Sequence, residues 1–160
     1  MSAEQPSAEQ QLIQRGIVLP AAWKDEANRV RALRSGIHVF MSGHGPLDPA
    51  TSAPLVTGKL GRELSIEAGY AAARLAGLAC LGTLRGHLGN LDRVTRVVRV
   101  LGFINCAPGF NTPSNVLHGF SDLMVAVFGE KGKHARSAVG MYALPSNIAV
   151  EVEMIVELEN

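Results

Sequence analysis

Two kinds of charged side chain in the C-terminal part of the chain could together bind a small acid and transfer a proton. Arg136 carries a guanidinium, whose planar fork of donors suits bidentate binding of a carboxylate. Glu151 and Glu153 follow it, and a carboxylate in a partly desolvated cleft can accept a proton from water. Spacing alone does not choose between the two glutamates. The alternative is that all three are ordinary solvated surface charges.

The histidines and cysteines do not form a metal or redox motif. Cys80 and Cys106 lie in apolar surroundings without CxxC spacing, which indicates reduced thiols. No pair of histidines has the spacing of metal ligands. The five histidines are His38, His44, His87, His118 and His134. We therefore expect no metal and no cofactor.

The composition favours one soluble domain. The chain has 160 residues, of which 47% are hydrophobic and 18% charged, with a formal net charge of +1. That length can bury a sufficient core, and near-neutral charge argues against a nucleic-acid or membrane-surface partner. Residues 1–11 are polar and acidic, unlike a secretory signal, and no apolar run reaches membrane-spanning length. These features predict a cytoplasmic location.

The N-terminus is interpreted as an extension over residues 1–22 that precedes a single domain over residues 23–160. Ser7 and Gln10 have the spacing of a capping box, which predicts a short helix over residues 8–15. The strand and helix pattern that follows is complete without this segment. We therefore expect the core to fold without it.

Short extended segments and a long loop come next. Residues 30–33 and 37–41 suit strands, and Ser35-Gly36 between them suits a hairpin turn. Residues 42–59 are rich in Gly, Pro, Ser and Thr, which predicts a surface loop. A short third strand is expected at residues 58–61.

Two helices are predicted after this loop. The first is capped by Ser65 and ended by Gly89 near Leu88. The second begins at Thr112-Pro113 and ends at Gly129. The predicted inner face of the first is Ile66, Leu75, Leu78, Leu81 and Leu88. The apolar stripe of the second is Val116, Leu117, Phe120, Leu123, Met124, Val127 and Phe128.

Three further strands complete the pattern. Residues 94–104 are rich in β-branched side chains, as in a strand inside a sheet. Residues 137–144 and 149–158 are also expected to be strands, and the last alternates apolar side chains with glutamates. The order βββ-α-β-α-ββ predicts an α+β fold with two helices on one face of a mixed sheet. Its other face would need cover, which favours oligomerisation.

Several motifs occur together in an order that resembles the Rid family, also called YjgF-like or endoribonuclease L-PSP. The resemblance spans residues 27–157. The motifs are Val39-Phe40-Met41-Ser42-Gly43, His134-Ala135-Arg136-Ser137-Ala138-Val139, Leu144-Pro145 and Val150-Glu151-Val152-Glu153. This resemblance implies a chorismate-mutase-like fold assembled as a homotrimer, with the sheets in a central barrel and ligand sites between subunits. It also implies hydrolysis of enamines or imines such as 2-aminoacrylate to a 2-keto acid and ammonia.

The resemblance assigns roles to particular residues. Arg136 matches the family arginine that holds the substrate carboxylate, and Glu151 matches the glutamate that positions or activates water. Ser42 and Gly43 match the Ser-Gly pair that lines the cleft. Ser-Gly by itself is also an ordinary turn pair.

Three positions depart from the best characterised branch of the family and would change the cleft. Ala138 replaces a cysteine whose backbone contributes most, so a donor and an acceptor remain. His118 replaces an asparagine and Arg29 a tyrosine, which alters polarity and size and points to a different substrate. His118 could equally be an ordinary histidine exposed on a helix.

Two other functions compete with the enzyme. One is a binding or chaperone-like trimer in which Arg136 captures a 2-keto acid or another small acid without turnover. The other is a ribonuclease, which the neutral charge and the absence of an aromatic cluster disfavour.

Overall fold

The computed structural model describes residues 6–160, which form five strands and three helices around one core. The helices are α1 (Ala8–Gln14), α2 (Ile66–Leu88) and α3 (Pro113–Phe128). The strands are β1 (Ala32–Ser35), β2 (His38–His44), β3 (Val94–Asn105), β4 (Ala135–Met141) and β5 (Val150–Leu158). No helix in this part of the chain is both long and apolar enough to cross a membrane.

The strands form one mixed sheet in the order β1-β2-β5-β3-β4. Only β3 and β4 are parallel, since α3 connects them as a crossover, and the other neighbours are antiparallel. The alternation predicted for β5 is confirmed, because every second residue from Val150 to Leu158 is buried, whereas the residues between them, Ile155 included, are not. The prediction of an α+β fold with a mixed sheet is confirmed.

The predicted third strand is wrong. Within the described residues, this segment makes isolated bridges from Thr57 to Ile148 and from Leu60 to Cys106. The glycines on either side explain the difference, because Gly58 has a φ of +115° and the segment ends at Gly61 with a φ of +83°. Such angles interrupt the extended backbone that a ladder needs.

Helix α2 has the predicted ends, with Ser65 as its cap and Gly89 in the left-handed conformation after it. Its predicted inner face is partly wrong, because Ile66, Leu75 and Leu78 are only partly buried. Leu81 and Leu88 of the predicted face are buried, as is Leu84, but small residues make up much of the buried surface. These are Ala72, Ala73, Ala76, Gly77 and Cys80.

Helix α3 packs on α2 at close range. All seven residues of its predicted stripe are buried. A Cβ at Gly119 would lie 2.0 Å from the carbonyl oxygen of Tyr70, so only glycine permits this approach. The predicted start at Thr112-Pro113 is confirmed, although the Thr112 side chain makes no capping hydrogen bond.

Helix α1 has the predicted capping box and packs against the same core. Ala8 and Leu12 are buried there, and Ile17 and Leu19 pack against it. Arg85 of α2 pairs with Glu9 at 2.8 Å. The expectation that the core folds without this segment stays a prediction, and removal of the segment would expose apolar surface.

The face of the sheet turned away from α2 and α3 is uncovered in a single chain. Leu33 and Phe40 are 56% and 44% exposed, and Val139 on β4 is 39% exposed. Leu101 and Ile155 line a shallow depression between them. The two sheet edges, β1 and β4, are unpaired within the chain.

Candidate functional site

Glu151 lies beside a break in the pairing of β2 with β5. The register shifts between Met41 and His44, so the Ser42-Gly43 segment bulges out of the ladder. A Cβ added at Gly43 would lie 2.1 Å from Oε1 of Glu151. Glycine is therefore what allows this carboxylate to lie against the β2 backbone.

A cavity of about 730 Å³ opens at this point, and we call it the Glu151 cavity. Its polar wall is formed by Arg29 and Arg31, and Trp23 provides an aromatic side. Glu151 and Gly43 also line it. The other charged residues of the lining are Lys24, Asp25, Glu26 and Asp48. The cavity therefore combines a half-buried carboxylate, which can accept a proton, with several cations.

Burial raises the pKa of the Glu151 carboxyl above its usual range. Arg29 and Arg31 oppose this effect and lower the pKa, whereas Glu153 raises it further. A raised pKa brings a carboxylate closer to the range in which it can take a proton from water at neutral pH.

The two arginines are held by Glu26. Arg31 lies 2.7 Å from Oε1 of Glu26, and Arg29 contacts the same oxygen. Arg31 also stacks over Trp23, with Cζ 5.1 Å from the ring centroid. Because half of the Arg29 side chain is exposed, it remains accessible to a ligand.

Ser42 does not line the Glu151 cavity. Its hydroxyl donates to the carbonyl oxygen of Val30 at 2.7 Å, and its amide donates to Arg31. The side chain thereby ties β2 to the segment before β1. The structure places Gly43 and Arg29 with Glu151 but places the Ser42 hydroxyl elsewhere.

A buried histidine supports the bulge, and sequence reasoning missed it. His44 Nδ1 donates to the carbonyl oxygen of Ser42 at 2.7 Å, and Nε2 accepts from Thr83 Oγ1 at 2.9 Å. Its ring stacks on Trp23 with centroids 4.5 Å apart. Burial lowers the pKa of His44 to about 4, so the ring is neutral. No spacing rule connects His44 to Thr83, which lies 39 residues away.

Arg136 belongs to a second group of residues, formed by β4 and α3. Its Nη2 donates to Ser114 Oγ at 2.9 Å and to the Ser114 carbonyl at 3.2 Å. Nη1 donates to Ser121 Oγ at 2.9 Å. Both ring nitrogens of His118 lie 3.5 Å from Nη2. We call this the Arg136 group.

Ala138 lies two residues beyond Arg136, on the same face of β4. Its side chain packs against the edge of the core, opposite Gly102 of β3. A methyl group at this position leaves the strand backbone unobstructed.

The two groups lie on opposite faces of the sheet. Arg136 is paired with Val100, whose side chain is buried beneath the helices. Glu151 is paired with Phe103 on the other face of β3. Two strand spacings, roughly 10 Å, also separate β4 from β5. One chain therefore brings Gly43, Arg29 and Glu151 together, and His118 with Arg136, but does not join the two groups.

The fold and these positions agree with a match to a known family. Residues 9–158 match the family model described as "YjgF/chorismate_mutase-like, putative endoribonuclease". The chain belongs to this YjgF, or Rid, family.

Relatives of this chain are found in distant organisms. Protein TCP17 of Trypanosoma cruzi is 44% identical over 146 residues, which are 91% of this chain and 90% of that protein. The crystal structure of protein Atu1372 from Agrobacterium tumefaciens, described as of unknown function, is 36% identical, with a TM-score of 0.84 and coverage of 95% and 94%. RidA from a Psychrobacter species is 23% identical, with a TM-score of 0.58 and coverage of 86% and 94%, which supports the fold alone.

Proposed function

We propose that this protein is a homotrimer that hydrolyses a small enamine or imine bearing a carboxylate, releasing a 2-keto acid and ammonia. The ligand would bind in a cleft where the Arg136 group of one subunit meets the Glu151 cavity of its neighbour. The free thiols of Cys80 and Cys106 support a cytoplasmic location.

One observation carries this proposal, namely that the carboxylate-binding cation and the candidate base lie on opposite faces of one sheet. Neither the Arg136 group nor the Glu151 cavity contains both the carboxylate-binding Arg136 and the candidate base Glu151. A second chain placed against the edge or face of the first can bring them together, as intersubunit sites do in symmetric oligomers.

The uncovered sheet face supports the assembly. Leu33, Phe40 and Val139 expose large apolar surface, and Leu101 and Ile155 lie beside them. Large exposed apolar side chains on an unpartnered sheet face are typical of a protein interface. Burying it among three copies would cover the sheet, because it faces away from all the helices.

The chemistry follows from the two groups. Arg136 would bind the substrate carboxylate through its fork of N–H donors. An enamine first tautomerises to the imine, whose nitrogen takes a proton from solvent. Glu151 accepts a proton from water as the water oxygen adds to the iminium carbon, which gives a neutral carbinolamine. Glu151 then returns that proton to the amino group, the C–N bond breaks to release ammonia, and the hydroxyl group gives its proton back to solvent as the C=O bond of the 2-keto acid forms.

A second candidate is a protein that binds small acids without turnover. The Ser42 hydroxyl favours it, because its bond to Val30 removes a donor that the family resemblance had assigned to the ligand. In that case, Arg136 would still bind the acid and Glu151 would have no chemical role.

The experiment generates 2-aminoacrylate from serine with a dehydratase and measures pyruvate release, with the decay of the intermediate in buffer as reference. The enzyme should accelerate release, and Glu151→Gln should abolish the acceleration while retaining pyruvate binding. A parent rate no faster than decay in buffer, with pyruvate bound, would establish the binder. RNA cleavage that survives Glu151→Gln would point to a contaminating nuclease.

A further inference from the structure

Arg136 is connected to the backbone of the preceding turn by a chain of hydrogen bonds. Its Nη1 donates to Ser121 Oγ at 2.9 Å. That oxygen lies 2.9 Å from His134 Nε2, and His134 Nδ1 lies 2.6 Å from the carbonyl oxygen of Gly132. The chain therefore links the guanidinium to a fixed backbone group through two side chains.

The chemistry of the groups fixes the direction of every bond. The Gly132 carbonyl can only accept, so Nδ1 of His134 carries the proton and donates it. Nε2 of a neutral ring is then an acceptor for the Ser121 hydroxyl. The Ser121 oxygen remains free to accept from Arg136. Only neutral His134 satisfies all three groups.

The surroundings keep His134 neutral. Burial lowers the pKa of His134, the bond to Gly132 opposes this effect, and the charge of Arg136 lowers the pKa further. Asp122 of α3 is the acidic group that acts on Arg136. The charges on the turn before β4 compensate each other in part. They are Glu130, Lys131 and Lys133, with Glu130 and Lys133 paired at 2.7 Å.

We propose that Ser121 and His134 are positioning residues that orient Arg136 for carboxylate binding, so that protonation of His134 weakens binding. This inference rests on the proposed role of Arg136 as the carboxylate anchor. A protonated ring has N–H groups on both nitrogens, so the Ser121 hydroxyl loses its acceptor and must turn. The Ser121 oxygen would then accept from two cations that repel each other, His134 and Arg136, so the guanidinium would be displaced.

The sign of the pH dependence separates positioning from simple electrostatics. An additional positive charge beside Arg136 would by itself strengthen the binding of an anion. Protonation of Glu151 would act in the same direction, because it removes a negative charge. Weaker binding at low pH is therefore the opposite of what these charge changes would produce, and disruption of the hydrogen-bond chain predicts it.

The first experiment measures pyruvate affinity by calorimetry from about pH 8 to about pH 4.5, a range in which pyruvate stays ionised and which extends well below the usual pKa of histidine. The parent protein should lose affinity by on the order of tenfold. His134→Ala should be weak throughout. His134→Gln, whose amide can still donate and accept, should bind more tightly than His134→Ala and show no loss at low pH. His87→Gln, on the exposed end of α2, should behave like the parent.

Unchanged or tighter binding by the parent at low pH would overturn the inference, as would parental affinity in His134→Ala. A second measurement is independent of any ligand. Proton–nitrogen NMR of the His134 ring should show the Nδ1–H tautomer at neutral pH, and an Nε2–H tautomer would overturn the chain itself. If the tautomer is as expected and pyruvate does not bind at all, the proposed function fails while the hydrogen-bond chain stands.

Discussion

Arg136 and Glu151 lie on opposite faces of the same sheet, on strands β4 and β5 that β3 separates. No rotation of either side chain within one chain can bring a guanidinium and a carboxylate together through a layer of packed strands. If both act on one ligand, each site takes its arginine from one subunit and its glutamate from another.

Mixing two inactive variants tests this arrangement. Arg136→Ala and Glu151→Ala should each abolish 2-aminoacrylate hydrolysis. When the two chains are denatured and reassembled together in equal amounts, about one quarter of the sites should combine an intact arginine with an intact glutamate. The measurement is the activity of the mixture relative to parent protein treated in the same way. No recovery, with trimers shown to have formed, would contradict a site shared between chains.

Removal of the guanidinium should abolish binding of small 2-keto acids without unfolding the protein. Charge-assisted hydrogen bonds contribute about 1.5–3 kcal/mol each, so Arg136→Ala should weaken pyruvate binding by roughly a hundredfold or more. Arg136→Lys should restore only part of the affinity, because an ammonium lacks the two-pronged geometry. Calorimetry checks both variants, and Arg15→Ala, at the residue that follows α1, is the control. Parental affinity in Arg136→Ala would show that the anchor is elsewhere.

Gly43 should be required for turnover, because a larger residue at this position would displace the Glu151 carboxylate. A Cβ at this position meets Oε1 at 2.1 Å, so Gly43→Ala should displace the carboxylate and lower turnover by on the order of a hundredfold. The matched test is a double-mutant cycle in unfolding free energy. Gly43→Ala should cost less stability in a Glu151→Ala background than in the parent. Equal costs in both backgrounds would mean that the clash is with another group.

His44 should make the protein acid-sensitive. Its pKa is about 4 in the folded protein and 6.5 in the unfolded chain, so below pH 6.5 the unfolded state takes up a proton first. The stability is complete above pH 6.5 and is lost as pH falls toward 4, amounting to roughly 3 kcal/mol. Urea unfolding at fixed protein concentration should show a shallower acid loss for His44→Gln. His87→Gln should match the parent, and an equal slope in all three would contradict the assignment.

The N-terminal helix should contribute to stability through Leu12. This side chain is 4% exposed within the core, so Leu12→Ala should cost about 2–5 kcal/mol of unfolding free energy. Ile13, the next residue, is 80% exposed and provides the matched control, since Ile13→Ala should change stability by less than about 0.5 kcal/mol. Similar, small effects at both positions would support the original expectation that this segment is dispensable.

The elements with strong local signals were predictable from the sequence. The ends of α2 follow from Ser65 and Gly89, and the buried face of β5 follows from its alternation, because caps and periodicity are local properties. The inner face of α2 was predicted less well. Large leucines dominate a periodicity argument, whereas close packing against α3 selected alanine and glycine.

The site was predictable in its residues and not in its arrangement. Motif order identified Arg136, Glu151 and Gly43, but the face to which each side chain points depends on pairing register, which the sequence does not specify. The partners His44–Thr83 and Ser121–His134 are 39 and 13 residues apart and have no spacing signature. The Ser42 hydroxyl was assigned to the cleft because the motif could not reveal its bond to Val30.

The uncovered face of the sheet also bears on how the protein would respond to dilution. Leu33, Phe40 and Val139 remain in contact with water in a lone chain, so, if the protein assembles as proposed, the separated subunit is the less soluble form as well as the one with divided half-sites. Specific activity should therefore rise with protein concentration until assembly is complete. A newly synthesised chain would remain inactive until it assembles with other subunits, so that activity and solubility would be gained in the same step.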